Sequence, residues 1–368
     1  HLADYLDMFS KNLESRGVKV HWAKDAQEFN EIVLGILKDH NVKKMVKSKS
    51  MLTEECEMNP YLEQHGIDVV ETDLGERIIQ LLGQKPSHIV MPAIHLKREE
   101  VGKMFEEKGI SKEIGNYDPT YLTRCARHHL RDQFMEAGAG MTGCNFGVAA
   151  TGDCVVCTNE GNADMTTSMP KLHIVAMGIE KLVPDYKSLA VFQRLLCRCG
   201  TGQPTTAFTS HFRQARPGAE MHVVLVDNGR SDILADKDHW QTLKCMRCGA
   251  CMNTCPVYRR SGGYSYTYFI PGPIGVNLGM LKNPQKYSDN VSACTLCLSC
   301  DNVCPSKVGP GSQIYAWRQS LEKLGKANPV KRAMSNGMKY LFDRPALYTT
   351  ALKFAPLVNL VPECCTHF

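Results

Sequence analysis

The chain has 368 residues, a net charge of +5, 43% hydrophobic and 22% charged residues. This length favours two domains with cores of their own, no run of about 18 apolar residues is present to span a bilayer, and the basic residues lack the blocks or aromatic interleaving of a nucleic-acid binder. The seventeen cysteines point to metal ligation in a reducing compartment rather than a disulfide framework, because eight fall into two regular runs. The stretch beginning at His1 is amphipathic and does not read as a secretory leader.

From Val18 to about Val183, short apolar runs alternate with helix-period segments, the pattern of βα units around a largely parallel sheet. Strands are expected at Val18–Trp22, Lys44–Lys47, Ile67–Glu71 and His88–Met91. A helix is expected over Ala26–Lys38, where Phe29, Ile32, Val33, Ile36 and Leu37 recur at helical spacing. A Gly-rich passage, Gly138 to Gly143, leads toward Phe146–Ala150, Val155–Thr158, His173–Met177 and Met221–Val226, read as further strands of the same sheet. After Asp227-Asn228-Gly229, β-alternation stops and cysteine density rises. The expected organisation is an α/β domain over residues 1–232, a helical ferredoxin-like domain over 233–325 and a tail over 326–368. A helix near Pro273–Met280 fills the linker between the cysteine runs. Another is expected from about Ser312, with Ile314, Trp317, Leu321 and Leu324 on one side. The apolar stretch Ala351–Val361 reads as packing against the chain's own domains, set against docking on a partner or a membrane surface.

The most specific signal is the pair of runs Cys245-x-x-Cys248-x-x-Cys251-x-x-x-Cys255-Pro256 and Cys294-x-x-Cys297-x-x-Cys300-x-x-x-Cys304-Pro305. Each matches the bacterial [4Fe–4S] run, in which the fourth cysteine ligates the other cluster. The assignment is therefore Cys245, Cys248, Cys251 and Cys304 for one cluster, and Cys294, Cys297, Cys300 and Cys255 for the other. Zinc ribbons pair two knuckles, and the third cysteine, the fourth and the closing proline argue against them.

Nine cysteines remain: Cys56, Cys125, Cys144, Cys154, Cys157, Cys197, Cys199, Cys364 and Cys365. Cys154-x-x-Cys157 and Cys197-x-Cys199, with Cys125 or Cys144, form a candidate third metal site. Against it, Cys154 and Cys157 fall in an expected strand, where this spacing points side chains to opposite faces, and free buried cysteine is common. His88, His95, His128, His129 and His173 read as packed or surface histidines. No G-x-G-x-x-G follows a strand, so no flavin or dinucleotide site is expected.

The segments Val46-Lys47-Ser48-Lys49-Ser50-Met51, Glu71-Thr72-Asp73-Leu74-Gly75-Glu76, Ser87-His88-Ile89-Val90, Thr158-Asn159-Glu160-Gly161-Asn162, Pro170-Lys171-Leu172-His173-Ile174-Val175 and Met221–Arg230, together with the cysteine runs, carry a resemblance. From about residue 10 to 320 the chain resembles the lactate utilization protein B family, the iron–sulfur subunits of the bacterial lactate utilization system. It departs at Cys144, Cys154, Cys157, Cys197, Cys199 and in its short tail. The resemblance implies an α/β domain similar to sugar-phosphate isomerases and CoA transferases, ahead of a helical domain with two [4Fe–4S] clusters. It implies an electron-transfer subunit of a complex oxidising lactate to pyruvate, without a substrate site of its own. The implied partners are a cysteine-rich subunit and a second subunit of the lactate-utilization domain type, with a membrane electron acceptor beyond. The implied location is the cytoplasm, peripheral at the inner face of the membrane. Alternatives are a subunit of another dehydrogenase or heterodisulfide-type reductase, or a CoA- or sugar-phosphate-binding protein whose clusters sense redox state. Glu160 stands where CoA transferases place a nucleophilic glutamate and is the candidate catalytic residue, set against a plain Asn/Gly turn. Lys47-Ser48-Lys49-Ser50 is a candidate anion cradle, set against a solvated loop.

Overall fold

Asp25, Asp73, Asp118 and Asp185 each accept a backbone N–H three residues on and so start the helices Ala26–Asp39, Leu74–Leu82, Pro119–Glu136 and Tyr186–Thr201. The computed structural model describes residues 1–323 and 329–354. Its strands are β1 Lys19–Ala23, β2 Lys44–Lys47, β3 Asp68–Glu71, β4 Ala139–Thr142, β5 Phe146–Val148, β6 Asp153–Thr158, β7 Leu172–Gly178, β8 Leu182–Val183, β9 Phe208–Phe212 and β10 Glu220–Val226.

Six of these strands form a sheet of order β1-β10-β7-β4-β2-β3, parallel at every pairing. Helices cover both faces, which explains why β10 is apolar on both sides over Val223–Val226, with His222 the one polar residue between Met221 and Val226. Val224 and Val226 join Phe29, Val33, Leu37, Met45 and Leu62 on one face, while Val223 and Leu225 join Phe9, Leu13 and Met177 on the other.

Three expectations need correction. The later strands do not all join one sheet: β8-β5-β6-β9 form a second, mixed sheet. The Gly-rich passage is not a lead-in but the central strand β4. Gly140 is required there because a Cβ would lie 1.8 Å from the Thr166 carbonyl oxygen, so the helix Asn162–Ser168 can sit against the sheet. The segment His88–Met91 is not a strand. The His88 ring takes the N–H groups of Val90 and Met91 at 3.0 and 3.2 Å, and these local bonds replace ladder bonds. Ser87 O instead accepts from Tyr258 Oη at 2.7 Å, and Ile89 packs with Met252 and Ile270, so the segment fastens the α/β part to the cysteine module.

Residues 1–314 make one compact unit that holds both sheets and the cysteine module, including the helix Gly272–Lys282. Residues from 315 make a second, in which Phe342 of the helix Pro329–Phe342 meets Tyr348 of Pro345–Phe354 edge to face at 5.5 Å. The expected helix from Ser312 runs over Pro310–Lys323. Among the described residues no helix is long and apolar enough to cross a membrane. Leu324, Cys364, Cys365 and the end of the apolar Ala351–Val361 stretch lie outside the described residues.

Candidate functional site

The two cysteine runs adopt one backbone conformation. Arg247 and Gly249 in the first, and Leu296 and Leu298 at the matching positions of the second, have left-handed φ of 63°, 79°, 54° and 57°. A side chain in this region costs about 1–2 kcal/mol, so the fold must hold it in place. The turns aim backbone N–H groups at sulfur: Leu296 N donates to Cys294 Sγ at 3.4 Å, and Val308 N to Cys304 Sγ at 3.3 Å. Gly249 is doubly constrained, since a Cβ would also stand 3.1 Å from the His88 ring.

Each run then enters a short helix, Ala250–Thr254 with Cys251 and Ser299–Val303 with Cys300. The two pack together, with Thr254 Oγ1 and Ser299 Oγ at 2.5 Å. They end at Cys255 and Cys304, which take extended backbone ahead of Pro256 and Pro305. Cys304 lines a small cavity with Cys245, Cys248 and Cys251, closed by Ile89, Ile274 and Val308. Cys255 and Cys294 lie near enough to Cys300 to act on its charge. Burial pushes the thiols of Cys248 and Cys300 up to about 11 and about 12 and raises that of Cys251 as well, whereas N–H donation from Ser299 lowers Cys297. Buried thiols of this kind become thiolates against a cation. An all-sulfur donor set with N–H···S bonds fits iron–sulfur clusters.

Beside this module, a cavity of about 420 Å3 opens at the carboxyl ends of the parallel strands, where open α/β sheets bind ligands. Ser48, Lys49 and Ser50 follow β2, Asp73 follows β3, Gly143 and Cys144 follow β4, Glu180 and Lys181 follow β7, and Arg230 follows β10. Glu160 and Asn159 enter from the turn after β6, and Met246, Arg247 and Cys248 of the first cysteine run close the far wall. Lys181 Nζ donates to the Cys245 carbonyl at 3.3 Å, joining sheet to cysteine loop.

The candidate anion cradle is only partly available. Lys47 is fully buried in β2, with Nζ 2.7 Å from Glu71 Oε1 and 3.0 Å from Thr53 Oγ1, so it serves the core. Its place in the strand decides this, since alternation turns Lys47 inward. Lys49 lines the cavity and donates to Val90 O at 3.1 Å. Ser48 Oγ is buried there without a hydrogen-bond partner among the described residues.

Glu160 Oε2 accepts the Leu74 N–H at 3.2 Å, at the start of the Leu74–Leu82 helix. Burial, then the charge of Asp73, pushes its carboxyl up to about 7, and burial, then Glu54, pushes Glu76 up to about 8. Between their ordinary value of 4.5 and these values the folded chain binds more protons than the unfolded one. Stability therefore falls as pH rises through that window. The thermal unfolding temperature is expected to drop from pH 5 to pH 8, and less steeply in Glu76→Gln. An unchanged slope in that variant would contradict the assignment.

Among the described residues, four of the spare cysteines, Cys144, Cys154, Cys157 and Cys197, lie near one another and the other three stand apart. Cys125 packs in a separate core with Met104 and Phe105, and Cys56 is buried in the core on one face of the large sheet, whereas Cys154, buried on the other face, bonds Cys144, which lines the large cavity with Cys157 and Cys197. Cys199 instead lies toward Cys248 and Cys304. Of the histidines, His88 holds backbone N–H groups, His95 bonds Ser87 and Gln84, and His129 meets Arg77 at 2.9 Å. His128 is exposed, and buried His173 bonds Thr142 Oγ1 at 2.9 Å, its ring pushed down to about 3 by burial.

Comparison with known proteins adds family evidence to this geometry. The LUD domain family matches residues 6–231 and the 4Fe-4S dicluster domain family matches residues 241–308. Lactate utilization protein B of Bacillus pumilus is 41% identical over 366 residues, covering 97% of this chain and 77% of its own. The protein of the same name from Bacillus cytotoxicus is 41% identical over 360 residues, covering 96% and 76%. A crystal structure of a DUF162 family protein from Deinococcus radiodurans, 13% identical, covers 61% of this chain and 98% of its own with a TM-score of 0.35.

Proposed function

Since the chain belongs to the lactate utilization protein B family, we propose that it is the electron-transfer subunit of a complex that oxidises lactate to pyruvate. In this reading Cys245, Cys248, Cys251 and Cys304 hold one [4Fe–4S] cluster, and Cys294, Cys297, Cys300 and Cys255 hold the other. Such clusters, when bound, each exchange one electron at a time, so two of them divide the electron pair that lactate loses. The observation that carries the reading is the shared wall: Met246 to Cys248 belong both to a cysteine run and to the 420 Å3 cavity. A small donor seated there on Lys49 and Ser48 lies against a cluster ligand.

The residues of this chain bind and insulate. Ile89, Ile274 and Val308 keep water from the first set of thiols, and the Lys181 bond to Cys245 O holds the cysteine loop on the sheet. The partners of this reading are a cysteine-rich subunit and a second LUD-domain subunit. The location is the cytoplasm, at the inner membrane face where a membrane acceptor takes the electrons. Electron paramagnetic resonance of the anaerobically isolated complex tests it. [4Fe–4S] signals are expected on adding one lactate isomer. Clusters that dithionite reduces but neither isomer does would end the lactate reading.

A further inference from the structure

At the end of the parallel sheet remote from the large cavity, the amino ends of β1 and β10 bring together three histidines and a glutamate. Lys19 pairs in register with His222, and His21 with Val224. Alternation places Lys19, His21, Glu220 and His222 on the face where Ala23 and Val224 meet the Ala26–Asp39 helix. His40 follows the last residue of that helix and faces the same spot.

The hydrogen bonds orient the rings. His40 Nδ1 lies 2.8 Å from the Ile36 carbonyl oxygen, which can only accept, so the ring hydrogen is on Nδ1 and Nε2 of the neutral ring carries a lone pair. That Nε2 faces Glu220 Oε2 at 3.4 Å. Two acceptors in opposition call for a proton or a cation between them. His222 is buried, with Nε2 2.6 Å from Glu220 Oε1 and Nδ1 2.9 Å from His21 Nε2. Lys19 pairs with Glu220 Oε1 from the exposed side, its own side chain 58% exposed. The donor atoms of His40, Glu220 and His222 all lie within 4.8 Å of one another.

We infer that His40 Nε2, His222 Nε2 and the Glu220 carboxylate form a zinc-binding site separate from the cysteine module. A tetrahedral zinc with bonds of about 2.0–2.1 Å holds its ligand atoms about 3.4 Å apart, which is the His40–Glu220 separation. Imidazole and carboxylate donors suit Zn2+, while the soft thiolates elsewhere select iron–sulfur clusters. Each ligand histidine has its other nitrogen engaged, His40 by the Ile36 carbonyl and His222 by His21, the outer support that metal-binding imidazoles use. On binding, the ring hydrogen of His222 moves from Nε2 to Nδ1, where His21 Nε2 accepts it, and the hydrogen of His21 moves to its Nδ1. The metal then ties the end of the Ala26–Asp39 helix to the strand β10. The site lies on a strand pair and a helix end that no metal motif in the sequence marks.

The test uses the anaerobically purified full chain with its clusters, incubated with zinc chloride, desalted and analysed for zinc and iron, with zinc-edge X-ray absorption on the same sample. One zinc per chain with nitrogen and oxygen ligands is expected. His40→Ala, at an exposed helix end, and Glu220→Gln should each weaken zinc binding by at least ~10-fold, and His21→Ala by about 10–100-fold, at unchanged iron content. Zinc on sulfur ligands, zinc unaffected by His40→Ala and Glu220→Gln, or no zinc retained would each overturn the assignment.

Discussion

Cys304→Ser is expected to lower the iron content from about eight to about four atoms per chain, because one four-iron cluster loses a ligand while the other keeps its set. Which cluster is lost identifies the wiring. If Cys304 completes the set of Cys245, Cys248 and Cys251, the double variant Cys245→Ser/Cys304→Ser loses no more iron than either single change. Cys294→Ser/Cys304→Ser then loses both clusters. The opposite pattern would mean that each run keeps its own fourth cysteine. Two changes within one cooperative unit are not additive, and changes in separate units are. Three features favour the crossed arrangement: the small cavity shared by Cys304 with Cys245, Cys248 and Cys251, the approach of Cys255 and Cys294 to Cys300, and the packing of the helix Ala250–Thr254 on Ser299–Val303. Loss of one cluster in the Cys304 variant should abolish the lactate-driven resonance signal of the other only if the lost one stands nearer the electron donor.

Arg230→Ala is expected to cost about 3–5 kcal/mol of folding stability, read from the denaturant midpoint of the α/β signal. Arg230 is buried just past the end of β10. Its Nε bonds Glu180 Oε2 at 2.6 Å, and Nη1 and Nη2 reach the two oxygens of Glu55 at 3.1 and 3.0 Å. Removing the guanidinium leaves two carboxylates in the interior without their cation, and uncompensated buried charge is the costly outcome. Arg230→Lys should recover only part of the loss, since an ammonium cannot make the paired contacts of a planar fork. The pH dependence has a definite sign. Burial pushes the Glu180 carboxyl up, but Arg230 and Lys181 outweigh it and hold it below its ordinary 4.5. Its contribution is therefore present above that value and lost as pH falls through the depressed one. The wild type should lose stability in acid more steeply than Arg230→Ala. Equal acid slopes, or a cost below about 1 kcal/mol, the size of a surface ion pair, would show that the pair is not held as the geometry indicates.

The chemistry of the cysteine module was legible because it is written in spacing. Cys-x-x-Cys-x-x-Cys fits one turn and the start of one helix, so ligand type and local backbone come from the same few residues. The parallel sheet was legible for a similar reason: strands buried on both faces, such as Val223–Val226, are built mainly from apolar residues. Local signals misled where tertiary contact outweighed propensity. Gly138 to Gly143 has the composition of a loop, yet forms β4 because the Thr166 carbonyl needs the room that Gly140 leaves. His88–Met91 has the composition of a strand, yet bends because a histidine ring takes its N–H groups.

By itself, then, the sequence determined the metal-binding chemistry, the α/β class and the family, all of which rest on contiguous residues or on their periodicity. Only the tertiary structure decided which residues meet. The cavity draws Lys49, Glu160, Arg230 and Cys248 from points separated by up to 199 residues of chain, Lys47 is taken from the cavity by its strand register, and His40 reaches Glu220 and His222 across 180 residues. Such groupings depend on the order in which strands pair and on the face each side chain takes, and a linear pattern carries neither.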